Sequence, residues 1–489
     1  MKVFRQTKLV LLVAVVGMLA VQSCGDVRTP APTVSATNSA HLDNNDVYVR
    51  WNTLFMDIDR YAKGYRPGPA PRALAYMGFA AYEAILPGIP ENNSLANLYV
   101  GLSIPEAETD VEYYWPAVVN ECYYTMMQRY FFHMQNEYAQ LFGKIELLRN
   151  ELRTEYRKQI SADLLDRSAK RGQDVGLAVY EWSATDANSH NGFLDPQPAS
   201  YIPPVGPGLW QPTFPDYNKA VFPYWGKARV FALKESDKLA EKPIPFSENT
   251  QSLFFHQAEE VYKTVNLINN YDPKNQNEAN LAYRQKWIAE FWSDDILKET
   301  FSPPTRLMAI ANQVVEREKT DLATCAELYA KLGMAMNDCG VSVWYSKYYY
   351  NVERPTSYIR RVLSKTYPDA ANFLPILENA PAGIQGFTPP FPAYPSGHSG
   401  FGGAGGKILS SFFEFNRSHP GTYSFTDNCH KDRSEFIGTP RSFSSFKEMA
   451  NEDAYSRIPL GVHFRMDCDE GLRMGEVAAQ RVLELPWKK

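Results

Sequence analysis

The sequence predicts an all-α protein, in which helical bundles pack together and long proline-rich loops connect them. Apolar residues recur at a spacing of three to four, as Leu54, Ile58 and Tyr61 do, and this period is typical of helices with one buried face. No alternation of apolar and polar residues is sustained along the chain, as a half-buried strand would require. Prolines cluster in segments that separate the periodic ones, which is typical of loops between helices.

The helical segments follow one another along most of the 489-residue chain. The first is predicted from Val47 to Leu86, and the long charged stretch from Glu112 to Glu181 is expected to hold two or three amphipathic helices. Proline-rich segments from Asn188 to Phe246 and from Gly383 to Tyr394 exclude regular helix. Further helical patterns occupy 250–292, 305–350, 396–415, 446–458 and 468–485.

The N-terminus has the pattern of a targeting segment. Three basic residues, Lys2, Arg5 and Lys8, come first. The apolar run from Leu9 to Val21 follows and is too short to span a membrane. Cys24 then stands where a bacterial lipoprotein signal places its lipidated cysteine, and an ordinary signal peptide cleaved nearby is the alternative. Either signal predicts an extracytoplasmic protein, and the first predicts a lipid anchor to a bacterial membrane, in the periplasm or at the cell surface.

Composition completes the predicted organisation of the chain. Residues 24–45 are rich in Pro, Ser, Thr and Asn, which is typical of a flexible tether. The predicted parts are a lipoprotein signal peptide (1–23), the tether (24–45), an N-terminal helical region with a proline-rich loop (46–249) and a C-terminal helical catalytic domain (250–489). The net charge of −5 argues against nucleic acid as a partner, because nucleic acid requires a basic surface. The five cysteines beyond Cys24 match no zinc-site spacing, and no disulfide pairing is assigned.

Three short stretches near the C-terminus carry side chains suited to holding one tetrahedral oxyanion. Lys347 and Arg354 are seven residues apart, so on a helix both cations would project from one face. Ser396, Gly397 and His398 follow a proline-rich loop and open a predicted helix. Backbone N–H groups at a helix N-terminus attract anions, and the Ser396 hydroxyl is a further donor.

The third stretch adds Arg457, His463 and Asp467. Pro459 and Gly461 separate the arginine from the histidine and predict a turn between two helices. Asp467 lies four residues after His463, one helical turn on, where it could orient the imidazole through its second nitrogen. We therefore expect all three stretches to converge on one oxyanion, with the two histidines on opposite sides of it.

In order and spacing these residues resemble the three-part signature of the superfamily that joins vanadium-dependent haloperoxidases to type-2 phosphatidic acid phosphatases. The first part is Lys, six residues, then Arg-Pro, and the second is Pro-Ser-Gly-His. The third is Ser-Arg, five residues, His, three residues, Asp. Each part alone is a weak signal, whereas all three with every spacing intact are a specific one. The resemblance covers 344–476 closely and implies a helical fold like that of vanadium chloroperoxidase.

Residues around the signature are similar to the haloperoxidase branch. The loop from Phe387 to Tyr394 resembles that of vanadium chloroperoxidases, and Arg465, two residues after the histidine, is typical of haloperoxidases. Trp344 and Phe391 fall where chloroperoxidases place aromatic residues near the halide, whereas algal bromoperoxidases carry histidine at the second position. The resemblance leaves two interpretations of the long segment 188–246. It could be a loop that folds across the entrance of the predicted active site, or an irregular connection at the surface.

As a haloperoxidase, the protein would use vanadate as cofactor and convert hydrogen peroxide and a halide to a hypohalous species. The resemblance implies that His463 binds vanadium through Nε2 and that His398 acts as general acid/base on the opposite side. Lys347 would also polarise the peroxide, and Trp344 and Phe391 would line the halide pocket. The equatorial oxygens of the cofactor would be held by Lys347, Arg354, Ser396, the Gly397 N–H and Arg457.

As a phosphatase, the protein would hold phosphate with the same set of residues, here called the cage, and would hydrolyse a phosphate monoester. His463 would attack phosphorus to form a phosphohistidine, Asp467 would orient it, and His398 would protonate the leaving alkoxide. The haloperoxidase reaction is favoured, and the phosphatase stays the alternative because both share the fold and the cage. Relatives also keep an aspartate that braces an active-site arginine, and Asp295 is a better match for it than Asp294.

Overall fold

The computed structural model describes residues 42, 45–272, 274–294, 298–379, 384–414, 421–433 and 436–489. Within these residues the chain is predominantly α-helical, which confirms the predicted fold class. The helices before residue 250 are α1 (Asp46–Asp59), α2 (Pro69–Ile85), α3 (Trp115–Tyr130), α4 (Ala139–Tyr156) and α5 (Ala162–Ala184). The later helices are α6 (Leu253–Asn269), α7 (Leu281–Phe291), α8 (Pro303–Glu318), α9 (Leu322–Tyr350), α10 (Pro355–Arg361), α11 (Gly397–Phe413), α12 (Phe446–Tyr455) and α13 (Arg465–Leu483).

Strands make only a small contribution to the described part of the chain. They form two antiparallel pairs, β1 (Glu378–Asn379) with β2 (Ile384–Gln385) and β3 (Phe425–Asp427) with β4 (Arg441–Phe443). No described helix is both long and apolar enough to cross a membrane. The predicted signal peptide and Cys24, the predicted site of lipidation, fall outside the described residues, and so does nearly all of the predicted tether. These three assignments, and the domain boundaries, stay predictions.

Helix α9 lies at the centre of the fold. It packs against α2, α11 and α13, and most of its residues are buried. Several of its polar residues are buried as well, among them Asp338 and Lys347, so the helix lies in the core and carries part of the site into it. It begins after Asp321, whose carboxylate accepts the Thr324 N–H at 2.8 Å and caps the first turn. Cys325 and Cys339 both lie on α9 as buried free thiols.

Helix α9 ends before Arg354, the second of the predicted cations. Asn351 adopts a left-handed conformation with φ of 51°, and its N–H donates to the Lys347 carbonyl at 2.8 Å, which closes the helix. Pro355 disfavours helical backbone at the residue before it, so Arg354 becomes the N-cap of α10. The expectation that Lys347 and Arg354 project from one helix is therefore wrong, and the two cations meet across a bend.

Glycines let α11 approach its neighbours closely. A Cβ on Gly403 would lie 2.4 Å from the Leu472 carbonyl oxygen of α13, and a Cβ on Gly475 would lie 2.0 Å from the Gly400 carbonyl oxygen. No side chain fits at these separations, so only glycine allows the two backbones to touch. This contact matters for the site described below, because the starts of α11 and α13 both contribute to it.

The first proline-rich segment contains no described α-helix, as predicted, and packs near the C-terminal end of α9. The Trp210 N–H donates to the Asn351 carbonyl at 2.6 Å, and the Val221 N–H donates to the Pro390 carbonyl at 3.0 Å. Nε1 of Trp344 donates to the Val221 carbonyl at 3.3 Å. The segment thus lies against Trp344 and the loop before α11, which favours a covering loop over a remote surface connection.

Replacing Gly403 by alanine should destabilise the protein by about 1–3 kcal/mol, because the new methyl group must displace the α13 backbone. The matched control is Gly143→Ala in α4, where nothing lies within 4 Å of the added Cβ. Alanine there replaces a poor helix former, and should stabilise by up to about 1 kcal/mol. Urea unfolding followed by circular dichroism measures both. Unfolding of Gly403→Ala at the parent's midpoint would contradict the close approach of the helices.

Candidate active site

The last turn of α9 places Lys347 in the interior. Its side chain is fully buried, and Nζ donates to the carbonyl oxygens of Pro392 (2.8 Å) and Ala393 (2.9 Å). Nζ also lies 5.1 Å from the centroid of the Phe391 ring. Burial, together with the positive charge of Arg354, lowers the pKa of Lys347 well below its usual value. A bound anion would offset the cost of burying this charge.

Arg354 connects the proline-rich loop before α11 to the third of the predicted stretches. Its Nε donates to the Phe391 carbonyl at 2.8 Å, and its Nη1 donates to the Val462 carbonyl at 2.9 Å. Nη1 also lies 3.1 Å from Nε2 of His463. A guanidinium keeps all its protons, so in this contact the arginine is the donor and the imidazole nitrogen is the acceptor.

Asp467 holds the other side of the His463 ring. Nδ1 of His463 lies 3.0 Å from Oδ2 of Asp467, and the same oxygen accepts the Phe464 N–H at 2.9 Å. The one-turn spacing predicted this pair. Because Nε2 accepts from Arg354, these contacts assign a neutral imidazole with its proton on Nδ1. Burial raises the pKa of the Asp467 carboxyl to about 7.

Positive charge dominates the surroundings of His463 even though a carboxyl group touches it. Burial lowers the pKa of His463 well below its usual value. The positive charges of Arg354, Lys347 and Arg457 lower it further. A neighbouring carboxylate alone would raise the pKa of a histidine, so here burial and the cations together outweigh it. The Nε2 lone pair is therefore available at neutral pH, in a site that attracts negative charge.

The start of α11 brings a hydroxyl and a glycine next to these groups. The Ser396 hydroxyl oxygen accepts the Ser399 N–H at 3.3 Å and the Ser399 hydroxyl at 2.9 Å, so Ser396 keeps its own proton for another acceptor. The Ser396 N–H donates to the Asp467 carbonyl at 2.8 Å, which ties α11 to α13. A Cβ on Gly397 would lie 2.9 Å from the Trp344 ring, so glycine allows the indole to lie against the helix start.

His398, in the first turn of α11, contacts carboxylates. Its Nε2 lies 2.6 Å from Oδ1 of Asp453 and 3.8 Å from Oδ2 of Asp294. Its Nδ1 is buried and has no hydrogen-bond partner among the described residues. Buried ring nitrogens are normally paired, so Nδ1 is the atom that a ligand or a proton would engage. Asp295, the expected brace for an arginine, lies outside the described residues.

Arg457 is the third cation of the site, whereas Arg465 lies outside it. Arg457 follows α12, is 1% exposed, and its Nη1 donates to the Trp292 carbonyl at 3.2 Å. The Arg465 side chain is 41% exposed, and its Nε donates to Glu260 at 3.1 Å. The arginine two residues after the histidine therefore makes a peripheral ion pair instead of a contact with the cage.

Trp344 and Phe391 form an aromatic wall beside the cations. Their ring centroids are 5.1 Å apart, with the planes at 58°. Nζ of Lys347 lies 5.8 Å from the Trp344 centroid, and Cζ of Arg354 lies 4.9 Å from the Phe391 centroid. The faces of aromatic rings attract cations, so the wall helps to hold both side chains in place. The structure thus brings the predicted aromatic pair to the predicted cations.

The donor set fits a tetrahedral oxyanion such as vanadate or phosphate. Charged N–H donors come from three basic side chains, neutral donors come from a hydroxyl and a helix N-terminus, and Nε2 of His463 supplies one lone pair. The lowered pKa of His463 agrees with the fit, because burial and, after it, the positive charges of Arg354, Lys347 and Arg457 keep this nitrogen unprotonated. The predicted residues brought together by direct contact or by charge are Trp344, Lys347, Arg354, Phe391, Ser396, Gly397, His398, Arg457, His463 and Asp467.

Two features of the site were missed in the sequence. Asp453 lies four residues before Arg457, a spacing that puts two side chains on one face of a helix, so this signal was available. The backbone carbonyls of residues 391–393 bind Lys347 and Arg354, and nothing in the side-chain pattern indicates them.

Comparison with known proteins agrees with this geometry. Residues 327–486 match the family model of the VCPO second helical-bundle domain. The solved structure of a bacterial vanadium-dependent iodoperoxidase aligns with 90% of this chain and 95% of its own, with a TM-score of 0.72 and 26% identity. A bacterial vanadium-dependent chloroperoxidase aligns with 86% of this chain and 93% of its own, with a TM-score of 0.57 and 13% identity, and shares the fold. No curated protein matches the chain.

The matched region contains all three parts of the signature, and the structural likeness extends over nearly the whole chain. The matched domain and the structural likeness together support the vanadium haloperoxidase superfamily for this chain.

Proposed function

We propose that the protein is a vanadate-dependent haloperoxidase, which oxidises a halide with hydrogen peroxide to a hypohalous species. The observation that carries the proposal is the wall of Trp344 and Phe391 against Lys347 and Arg354, beside the lone pair of His463. Cations and the positive edges of aromatic rings both attract a halide anion. The similar bacterial protein is an iodoperoxidase, which supports the same class of reaction here.

His463, oriented by Asp467, would form the bond to vanadium. Asp467 occupies Nδ1 and fixes the ring, so Nε2 is the nitrogen left to bind the metal. Arg354 now donates to Nε2, and the same N–H would donate to an oxygen of the bound oxyanion. When bound, vanadate supplies a Lewis-acid centre that activates peroxide without changing its own oxidation state.

The remaining donors would neutralise the oxyanion and exclude water. Lys347 and Arg457 are buried and would hold its oxygens with charge-assisted hydrogen bonds. The Ser396 hydroxyl and the Gly397 N–H would add two neutral donors at the start of α11. Because these donors are fixed before the reaction, they need little reorganisation when charge develops.

His398 would move the proton, and Lys347 would polarise the oxidant. The bare Nδ1 of His398 can accept a proton as hydrogen peroxide enters and return it to a departing oxygen. Lys347 uses two of its three N–H bonds on backbone carbonyls, so the third can point at a peroxide oxygen. A halide drawn to the aromatic wall would then meet the more electrophilic oxygen.

The test compares two reactions of the purified protein. Oxidation of iodide, bromide and chloride is measured with hydrogen peroxide, and hydrolysis of an aryl phosphate is measured without peroxide, each with and without vanadate. We expect halide oxidation that requires vanadate and saturates with halide. Efficient hydrolysis of the phosphate ester that vanadate inhibits, with no oxidation of iodide, would instead establish the phosphatase reaction.

Two histidine variants control that test. His463→Ala should lower vanadate-dependent turnover and vanadate affinity by at least about 100-fold, because it removes the metal ligand itself. His256→Ala should leave both unchanged, because this side chain is half exposed and its ion-pair contact is with Glu259 on the same helix. Unchanged stoichiometric vanadate uptake by His463→Ala would contradict the assigned ligand.

Replacing Phe391 by histidine should change halide preference or peroxide turnover several-fold and leave vanadate affinity near that of the parent. The physical reason is that an imidazole beside Lys347 and Arg354 can hydrogen-bond to bound peroxide, which phenylalanine cannot. Phe391→Leu is the matched control, since it removes the ring without adding a donor. Identical kinetics for the Phe391→His and Phe391→Leu variants would show that only the loss of the phenyl ring affects the reaction.

A further inference from the structure

We propose that Asp453 is the positioning residue of His398: its carboxylate holds the imidazole through Nε2 and fixes the tautomer in which Nδ1 is bare. The role of His398 as acid/base rests on the proposed function, whereas the contact that fixes its ring does not. Asp453 belongs to α12, and its Oδ1 contacts Nε2 of His398 at 2.6 Å. It would act on the reaction through the histidine.

The distances distinguish Asp453 from the other carboxylate nearby. Oδ1 of Asp453 forms a close ion-pair contact with Nε2 of His398 at 2.6 Å, whereas Oδ2 of Asp294 lies 3.8 Å from the same nitrogen, too far for a hydrogen bond. Both carboxylates are buried, so a full charge at this depth requires a close partner. The other oxygen of Asp294 lies 3.9 Å from Nε2 of His430, so Asp294 lies between two histidines.

The neighbouring helix is shaped to admit the Asp453 carboxylate. Gly402 lies four residues after His398, so both occupy one face of α11. A Cβ on Gly402 would lie 2.1 Å from Oδ2 of Asp453, where no side-chain atom fits. The Asp453 carbonyl also accepts the Ser456 hydroxyl at 2.6 Å, which anchors the end of α12. Gly402 on α11 and the hydrogen-bonded turn at the end of α12 thus leave room for one carboxylate beside Nε2 of His398.

A fixed tautomer has a direct chemical consequence for this site. With its proton on Nε2 and held by a carboxylate, the ring presents a lone pair only at Nδ1. Nδ1 has no partner among the residues that the structure describes, so it is the atom free to take and return a proton. Without Asp453 the proton could lie on either ring nitrogen of His398. A fraction of the molecules would then present an N–H at Nδ1, where the reaction needs a lone pair.

The first test observes the tautomer and does not depend on any activity. Histidine-selective ¹⁵N NMR of the full chain separates protonated from bare ring nitrogens, and the spectrum of His398→Ala identifies the His398 signals. We expect a protonated Nε2 and a bare Nδ1 in the parent. Asp453→Ala should give a mixture of tautomers, and Gly402→Ala should shift the signals the same way by displacing the carboxylate.

Asp294→Asn is the matched control, and it should leave the His398 tautomer unchanged because its oxygen is out of hydrogen-bond range. Asp453→Asn should retain the tautomer in part, since its amide oxygen still accepts a hydrogen bond while the charge is lost. A proton on Nδ1 of His398 in the parent would overturn the proposal, even if a variant failed to fold. Unchanged His398 signals in folded Asp453→Ala would overturn it as well.

The second test asks whether Asp453 acts through His398. Asp453→Ala should lower kcat for halide oxidation by about 10–100-fold with little change in vanadate affinity, and Asp453→Asn should lower it less. In the His398→Ala background, Asp453→Ala should cause no further loss, because the residue it positions is gone. An equal loss in that background would indicate a purely structural role and overturn the proposal. Expected NMR signals in a protein that oxidises no halide would refute only the proposed function.

Discussion

Three cations are buried around one neutral histidine, and much of the site follows from that constraint. Removing a charged side chain from water costs several kcal/mol even after the protein relaxes. Backbone carbonyls accept hydrogen bonds from Lys347, Arg354 and Arg457, yet burial and the charge of these cations still lower the pKa of His463. A site that keeps excess positive charge in its interior is suited to an anion, and the anion would in turn stabilise the arrangement. The buried positive charge of the cage therefore favours a negatively charged ligand.

The helices place these charges with little freedom. Lys347 comes from the last turn of α9, and Arg354 follows the left-handed Asn351 that ends this helix. Glycines on α11 and α13 bring the two helix starts into backbone contact, so Ser396 bonds directly to the Asp467 carbonyl. Groups that are separated by more than one hundred residues in sequence therefore occupy one site with fixed geometry, as preorganised electrostatic catalysis requires.

Much of this was predictable from the sequence, and the exceptions have physical causes. Helix periodicity predicted the helical fold, and the spacing of His463 and Asp467 predicted their contact. The shared helix for Lys347 and Arg354 was wrong because a spacing of seven residues does not reveal the left-handed Asn351 between them. The spacing of Asp453 to Arg457 indicated a place near the site, but its contact with His398 joins α12 to α11, and only tertiary structure brings those two helices together. Backbone carbonyls that accept hydrogen bonds from the site's cations cannot be seen in side-chain patterns at all.

The central claim is that one oxyanion sits in this cage with His463 as its ligand, and a crystal structure of the protein soaked with vanadate tests it most directly. The account predicts one vanadium bonded to Nε2 of His463, with Lys347, Arg354 and Arg457 on its oxygens. Arg354 should then have exchanged its contact with Nε2 for a contact with the oxyanion. Vanadium bound elsewhere, with Arg354 still donating to His463 and the cage otherwise unchanged, would contradict the account.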